Sequence, residues 1–140
     1  MRLSNICLAL FLCCGCTSPE TPPVPYDQSY VEGSEVTVDD LNAAPRRYDG
    51  KRVRVTALAT IEFEGTALYA SRDAFERRDY TKAVLLELNW PVSAEIKALH
   101  GHSVVVEGRF TTKVEGHSGV YVGGVVEITK CERSDRSGPG

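Results

Sequence analysis

Cationic and aromatic side chains crowd one stretch of the chain. Arg72, Arg77, Arg78 and Lys82 fall between residues 72 and 82, with Asp73, Glu76 and Asp79 interleaved and Tyr69, Phe75 and Tyr80 alongside. Guanidinium groups beside exposed rings can hold an anionic or stacked ligand, whereas a mixed-charge run in solvent stays wet. Tyr69, Arg72, Arg77, Arg78 and the more distant His117 form the candidate ligand surface. Phe75 has two readings, a stacking ring or a plug folded back on the core. His100, His102 and His117 invite a metal reading, with Glu115 close to the last of them in sequence. Their spacing matches no ligand signature, and His100-Gly101-His102 suits a helix end, so no metal and no cofactor is assigned. Glu62, Glu64 and Glu115 could act as acid and base only if one sat in an apolar site with a raised pKa. The sequence has no Gly-x-Ser-x-Gly, His-Glu-x-x-His, cysteine–histidine pairing or phosphate loop. No catalytic residue is assigned, and the chain is expected not to be an enzyme.

The elements that must position these groups begin with a long period-two run, YDGKRVRVTALATIEF, at residues 48–63. Val53, Val55, Ala57, Ala59, Ile61 and Phe63 share one face; Arg52, Arg54, Thr56, Thr60 and Glu62 share the other; only Leu58 breaks the alternation. At about 3.3 Å per residue this strand spans roughly 40 Å, long enough to bend and serve two halves of a closed sheet. Before it, Thr37 to Asp40 has capping-box spacing for a short helix with Leu41 and Ala44 on its apolar edge. Pro45 stops that helix and Asp49-Gly50 turns the chain. After it, Glu64-Gly65 makes a turn, residues 67–70 a second strand, residues 71–82 a charged loop and residues 83–89 a third strand with Val84, Leu86 and Leu88 facing the core. Pro91 opens a helix that lines Val92, Ile96 and Leu99 on one face and ends at Gly101, with Trp90 capping the core. Strands at residues 103–112 and 119–129 follow, joined around Glu115-Gly116. The order predicts a mainly β, five-stranded barrel; another half-open barrel or a sandwich is the alternative.

The short helix, Pro45 and then Tyr48-Asp49-Gly50-Lys51-x-Val53-x-Val55 resemble exported bacterial proteins of the oligonucleotide/oligosaccharide-binding (OB) fold over residues 37–130. Ala57 stands where that pattern commonly has Gly. The resemblance implies an OB-like Greek-key barrel, with one short helix before the first strand and another between the third and fourth. In such barrels, ligands lie across the second and third strands and their flanking loops.

The N-terminus has the layout of an export signal. Arg2 is the only charge before Glu20, and ICLALFLCC precedes small residues. The run is shorter than the roughly 20 apolar residues that cross a bilayer. LFLCCGC resembles the end of a bacterial lipoprotein signal peptide, in which a Cys after a small residue is lipidated and becomes the new N-terminus. Cys16 after Gly15 is the match, although Cys13 stands where Leu is usual, and Cys14 is the weaker alternative. The resemblance implies a signal peptide over residues 1–15 and a palmitate-type anchor on Cys16. In a Gram-negative host Thr17, not being Asp, implies the outer membrane facing the periplasm. Residues 16–35, with Pro19, Pro22, Pro23 and Pro25, read as an extended tether of up to roughly 50 Å. The barrel is expected over residues 36–131 and a flexible tail over 132–140. Cys131 would keep the one free thiol, with no internal disulfide, and is read as partly buried and inert.

A net charge of -3 on 140 residues, with 42% hydrophobic and 25% charged, fits one globular domain without a polybasic footprint. The loops that usually frame an OB groove carry Glu62, Glu64 and Glu115, which repel phosphate backbones, so no nucleic-acid partner is expected. The expected partners are the membrane, through the lipid anchor, and an envelope protein or glycan. Together these readings point to a cell-envelope lipoprotein acting as a non-catalytic binding or accessory module. The alternatives are a small-ligand, glycan or metal-binding protein and an envelope hydrolase of unrecognised type.

Overall fold

The computed structural model describes residues 35–115 and 119–135. Cys16, the signal-like stretch, the tether up to residue 34, His117 and residues 136–140 lie outside the described residues. Thr37 caps helix α1 (Val38–Ala43): its Oγ1 accepts from the Asp40 N–H at 3.0 Å, and its own N–H donates to Asp40 Oδ2 at 3.0 Å. Both donors would otherwise be orphans of the first turn. Val38 and Leu41 are buried against the barrel. Pro45 does more than stop α1, because it also occupies the first position of a short α2 (Pro45–Tyr48), where its missing N–H costs nothing. Gly50, at φ 79, then turns the chain into the sheet, a conformation glycine adopts freely.

Strand β1 (Arg52–Thr60) buries Val53, Val55, Ala57 and Ala59 inside the barrel, as its alternation predicts. It pairs antiparallel with β4 (Ser103–Thr111) over Arg52–Leu58 and with β2 (Ala67–Tyr69) over Leu58–Thr60, so one strand serves two parts of the sheet. β2 pairs antiparallel with β3 (Ala83–Leu86), β3 parallel with β5 (Gly124–Arg133), and β5 antiparallel with β4. The described residues thus form a closed five-stranded barrel in the order β1-β2-β3-β5-β4, mixed in direction and OB-like. Helix α4 (Ala94–Lys97), between β3 and β4, starts at a Ser93 cap instead of at Pro91 and is shorter than expected; Ile96 on it, Val92 before it and Leu99 after it pack on the core.

Several boundaries differ from expectation for identifiable reasons. Residues 71–82 are not a plain loop. Ser71 Oγ accepts from the Ala74 N–H and starts helix α3 (Arg72–Arg77), which ends in a left-handed Arg78 and passes into a single 3-10 turn at Tyr80–Lys82. Phe63 lies beyond the end of β1, on a turn that leaves the sheet after Thr60, and is 73% exposed instead of buried. The third strand stops at Leu86, three residues early. The last strand starts five residues late, because Val120 and Val122 face solvent while Tyr121 packs on the outer face of the sheet. β5 continues to Arg133, and the Ser134 N–H donates to the Ser103 carbonyl at 2.9 Å, so the first residues of the expected tail belong to the barrel.

Candidate binding site

Two clusters line the two faces of the sheet. Inside lie Val55, Leu68, Val84, Leu86, Val106 and Phe110; outside, against β2 and β3, lie Leu58, Ala67, Tyr69, Ala83, Leu85 and Tyr121. That outer face is where an OB-like barrel would present ligand-stacking groups. Here it is covered by the chain itself. Helix α3 lays Ala74 and Phe75 over it, and the β4–β5 connection adds Val114 and Tyr121. Phe75 meets Tyr69 edge to face at 5.8 Å and serves as packing, whereas Tyr80 meets Tyr121 at 5.5 Å and stays 39% exposed. Leu58, the residue that broke the alternation of β1, belongs to this second core.

The residues expected to bind ligand are accordingly dispersed. Tyr69 is fully buried and offers no surface, and burial raises its phenol pKa; the same cause pushes Tyr121 up to about 12. Arg77 pairs with Asp73 one helical turn earlier at 3.0 Å. Arg78 donates two hydrogen bonds to the Glu62 carboxylate, at 3.0 and 2.9 Å, which lowers the Glu62 pKa and raises that of the guanidinium. The pair fastens the end of α3 to the β1–β2 turn. Arg72 is exposed at the start of α3, and His117 falls outside the described residues. His100 has a structural task, since its Nδ1 accepts from the Ile61 N–H at 3.1 Å. Gly101 beside it takes φ 77 and donates to the Ala59 carbonyl at 2.8 Å.

An open cleft lies along the end of β3. A cleft of about 250 Å³ is lined by Phe63, Gly65 and Thr66 from the β1–β2 turn, by Leu85 to Leu88 and Trp90, and by Glu115 from the β4–β5 connection. Phe63 and Trp90 stand at 84° to one another with ring centroids 5.6 Å apart, which makes an aromatic corner. Trp90 also packs against the inner core, as a cap would, while Phe63 is almost free of it. Glu87 and Leu88 are shared with a second cleft of about 470 Å³, bounded by Pro91, Val92 and Ile96 on one side and by Glu127 to Cys131 of β5 on the other. That second cleft exists because β3 and β5 separate after Leu86 and Val125 while β5 continues. Its rim carries a bulge where Glu127 adopts φ 50 and its carboxylate holds Arg109 with bonds of 3.0 and 2.9 Å.

Neither Phe63 nor Trp90 was among the residues that sequence reasoning assigned to binding. The usable signal was Glu64-Gly65 directly after Phe63, which places that ring on a turn instead of in a strand. No family model matches the chain, and no curated protein or solved structure resembles it closely enough to count as a match.

Proposed function

We propose that this chain is a cell-envelope lipoprotein whose OB-like barrel serves as a non-catalytic binding module, with the Phe63–Trp90 cleft as its binding site. The reading is carried by one observation. Packing from α3 and the β4–β5 connection closes the outer face of β2 and β3, yet a large ring, Phe63, is left 73% exposed beside Trp90 at the mouth of a cleft. Exposed rings flanking a concavity with a few polar groups are the usual makings of a ligand site. The N-terminal stretch supports the anchor. A lipidated Cys16 followed by a Pro-rich tether would hold the barrel, which begins near Val36, off the membrane surface. Two or more acyl chains anchor stably where one does not. In a Gram-negative host the barrel would face the periplasm from the outer membrane. The carboxylates of Glu87 and Glu115 in the cleft favour a small ligand, a glycan or an envelope protein over nucleic acid.

Two measurements test the two halves. Palmitate labelling of the full chain in a Gram-negative host should label the wild type and spare Cys16→Ala, which should also leave the membrane fraction. An unlabelled wild type would refute the anchor, and equal labelling of the variant would move it to another cysteine such as Cys14. Native mass spectrometry of the gently extracted full chain, compared with Phe63→Ala, should show a retained mass or partner that the variant loses. The non-catalytic reading would be overturned if the purified chain hydrolysed an envelope polymer and one carboxylate substitution abolished that activity.

A further inference from the structure

The chemistry of the cleft is asymmetric. Phe63 and Trp90 supply two ring walls at nearly a right angle, and the charged side chains lining the cleft are the carboxylates of Glu87 and Glu115. Among the described residues no basic side chain lines it. Arg78, which reaches the β1–β2 turn from the end of α3, is paired with Glu62. Ring faces carry the negative end of the aromatic quadrupole, and rings set at an angle form the cages that hold quaternary ammonium groups. Carboxylates at the rim add a field of the same sign, which attracts cations and is weakened by salt. We propose that the Phe63–Trp90 cleft binds an alkylammonium group of a small molecule. The proposal rests on the reading that this cleft is the binding site and adds the sign and chemistry of what enters it. A neutral sugar could stack on the rings and donate hydroxyls to the carboxylates but would gain no charge attraction from them, and an anion would be repelled.

Trp90 is the only tryptophan in the chain, so its fluorescence reports on this corner alone. The full chain, in a non-ionic detergent, is titrated with tetramethylammonium, with n-propylammonium, with the neutral isostere tert-butanol and with a neutral trisaccharide. The expected result is a saturable change with tetramethylammonium and none with tert-butanol. Phe63→Ala, on an exposed turn where folding is not at stake, should weaken the response about fivefold. Glu87→Gln with Glu115→Gln should weaken it about threefold, and high salt should do the same to the wild type. The two ammonium ions separate a methylated from a primary amine ligand, and a response to either supports the proposal. Equal responses to tetramethylammonium and tert-butanol overturn it, because shape and not charge would then be recognised. A Phe63-dependent response to the trisaccharide alone also overturns it while leaving the binding-site reading intact. Silence of Trp90 towards all four probes overturns it too, and the mass-spectrometric comparison then decides the binding-site reading separately.

Discussion

Tyr121 shows how a single side chain ties burial to pH. Its ring is buried against Tyr80 and the outer cluster, and loss of water around the phenol pushes its pKa up to about 12. An unfolded tyrosine ionises near 10. The folded state therefore holds its proton more tightly, so the associated stability is complete below about pH 10 and is lost as pH rises towards 12. The difference corresponds to roughly 2 to 3 kcal/mol. Urea unfolding of the wild type at about pH 9 and about pH 11.5 should show that decline. Tyr121→Phe should flatten most of it, leaving the smaller contribution of Tyr69, whose phenol is raised by the same cause. A Tyr121→Phe variant as sensitive to alkali as the wild type would mean that the phenol is hydrated. Cys131 follows similar logic, since half-burial raises its thiol pKa and keeps the thiolate scarce, as an inert cysteine requires.

At the scale of elements, α1 is held by a cap that is legible in the sequence. The Thr37 hydroxyl accepts from Asp40, and Thr37→Ala should cost about 1 kcal/mol of stability in urea unfolding. Hydrogen bonds from Thr37 lower the Asp40 pKa, so this support is present at neutral pH and is lost as pH falls below the ordinary carboxylate range. A Thr37→Ala loss that persists unchanged at about pH 2 would show that the carboxylate takes no part in the cap. α3 was hidden because a six-residue helix with four charged side chains looks like a solvated loop; its helix-forming cue is the single Ser71 cap. Its apolar face consists of Ala74 and Phe75 alone, too little for a period. The long alternation of β1 was readable because every inward residue from Val53 to Ala59 meets one continuous core. The same period misled at both ends of other elements. Phe63 keeps the alternation after the strand has ended, and Val120-Tyr121-Val122 alternates as a strand would while its valines point to solvent. The candidate site escaped for the same reason. It is made by where β1 and β3 stop, and stopping points depend on partners that are distant in sequence.

The whole molecule closes at its shortest ladder. β4 pairs with β1 and with β5 over most of its length, whereas the parallel seam between β3 and β5 joins only Leu85 to Gly124 and Leu86 to Val125. Two backbone bonds extend it, from the Leu85 N–H to the Gly123 carbonyl and from the Glu87 N–H to the Val125 carbonyl, each 3.0 Å. Such a seam is possible only because β5 enters it through two glycines. A Cβ at Gly123 would lie 2.4 Å from Phe110 and 2.7 Å from the Thr111 carbonyl oxygen, and a backbone atom of β4 cannot move aside cheaply. Gly123→Ala should therefore destabilise the barrel by about 1 to 3 kcal/mol through overpacking. It should also act locally: native-state hydrogen exchange should accelerate at Leu85 and Glu87 before the β1–β4 ladder responds, because openings propagate from the least supported unit. Since the chain leaving β3 carries Glu87 and Leu88 into both clefts, the same substitution should loosen the Trp90 corner and lower its fluorescence anisotropy contrast with the unfolded chain. Uniform acceleration across all five strands would instead show that the barrel opens only as a whole, with its clefts as rigid as its core.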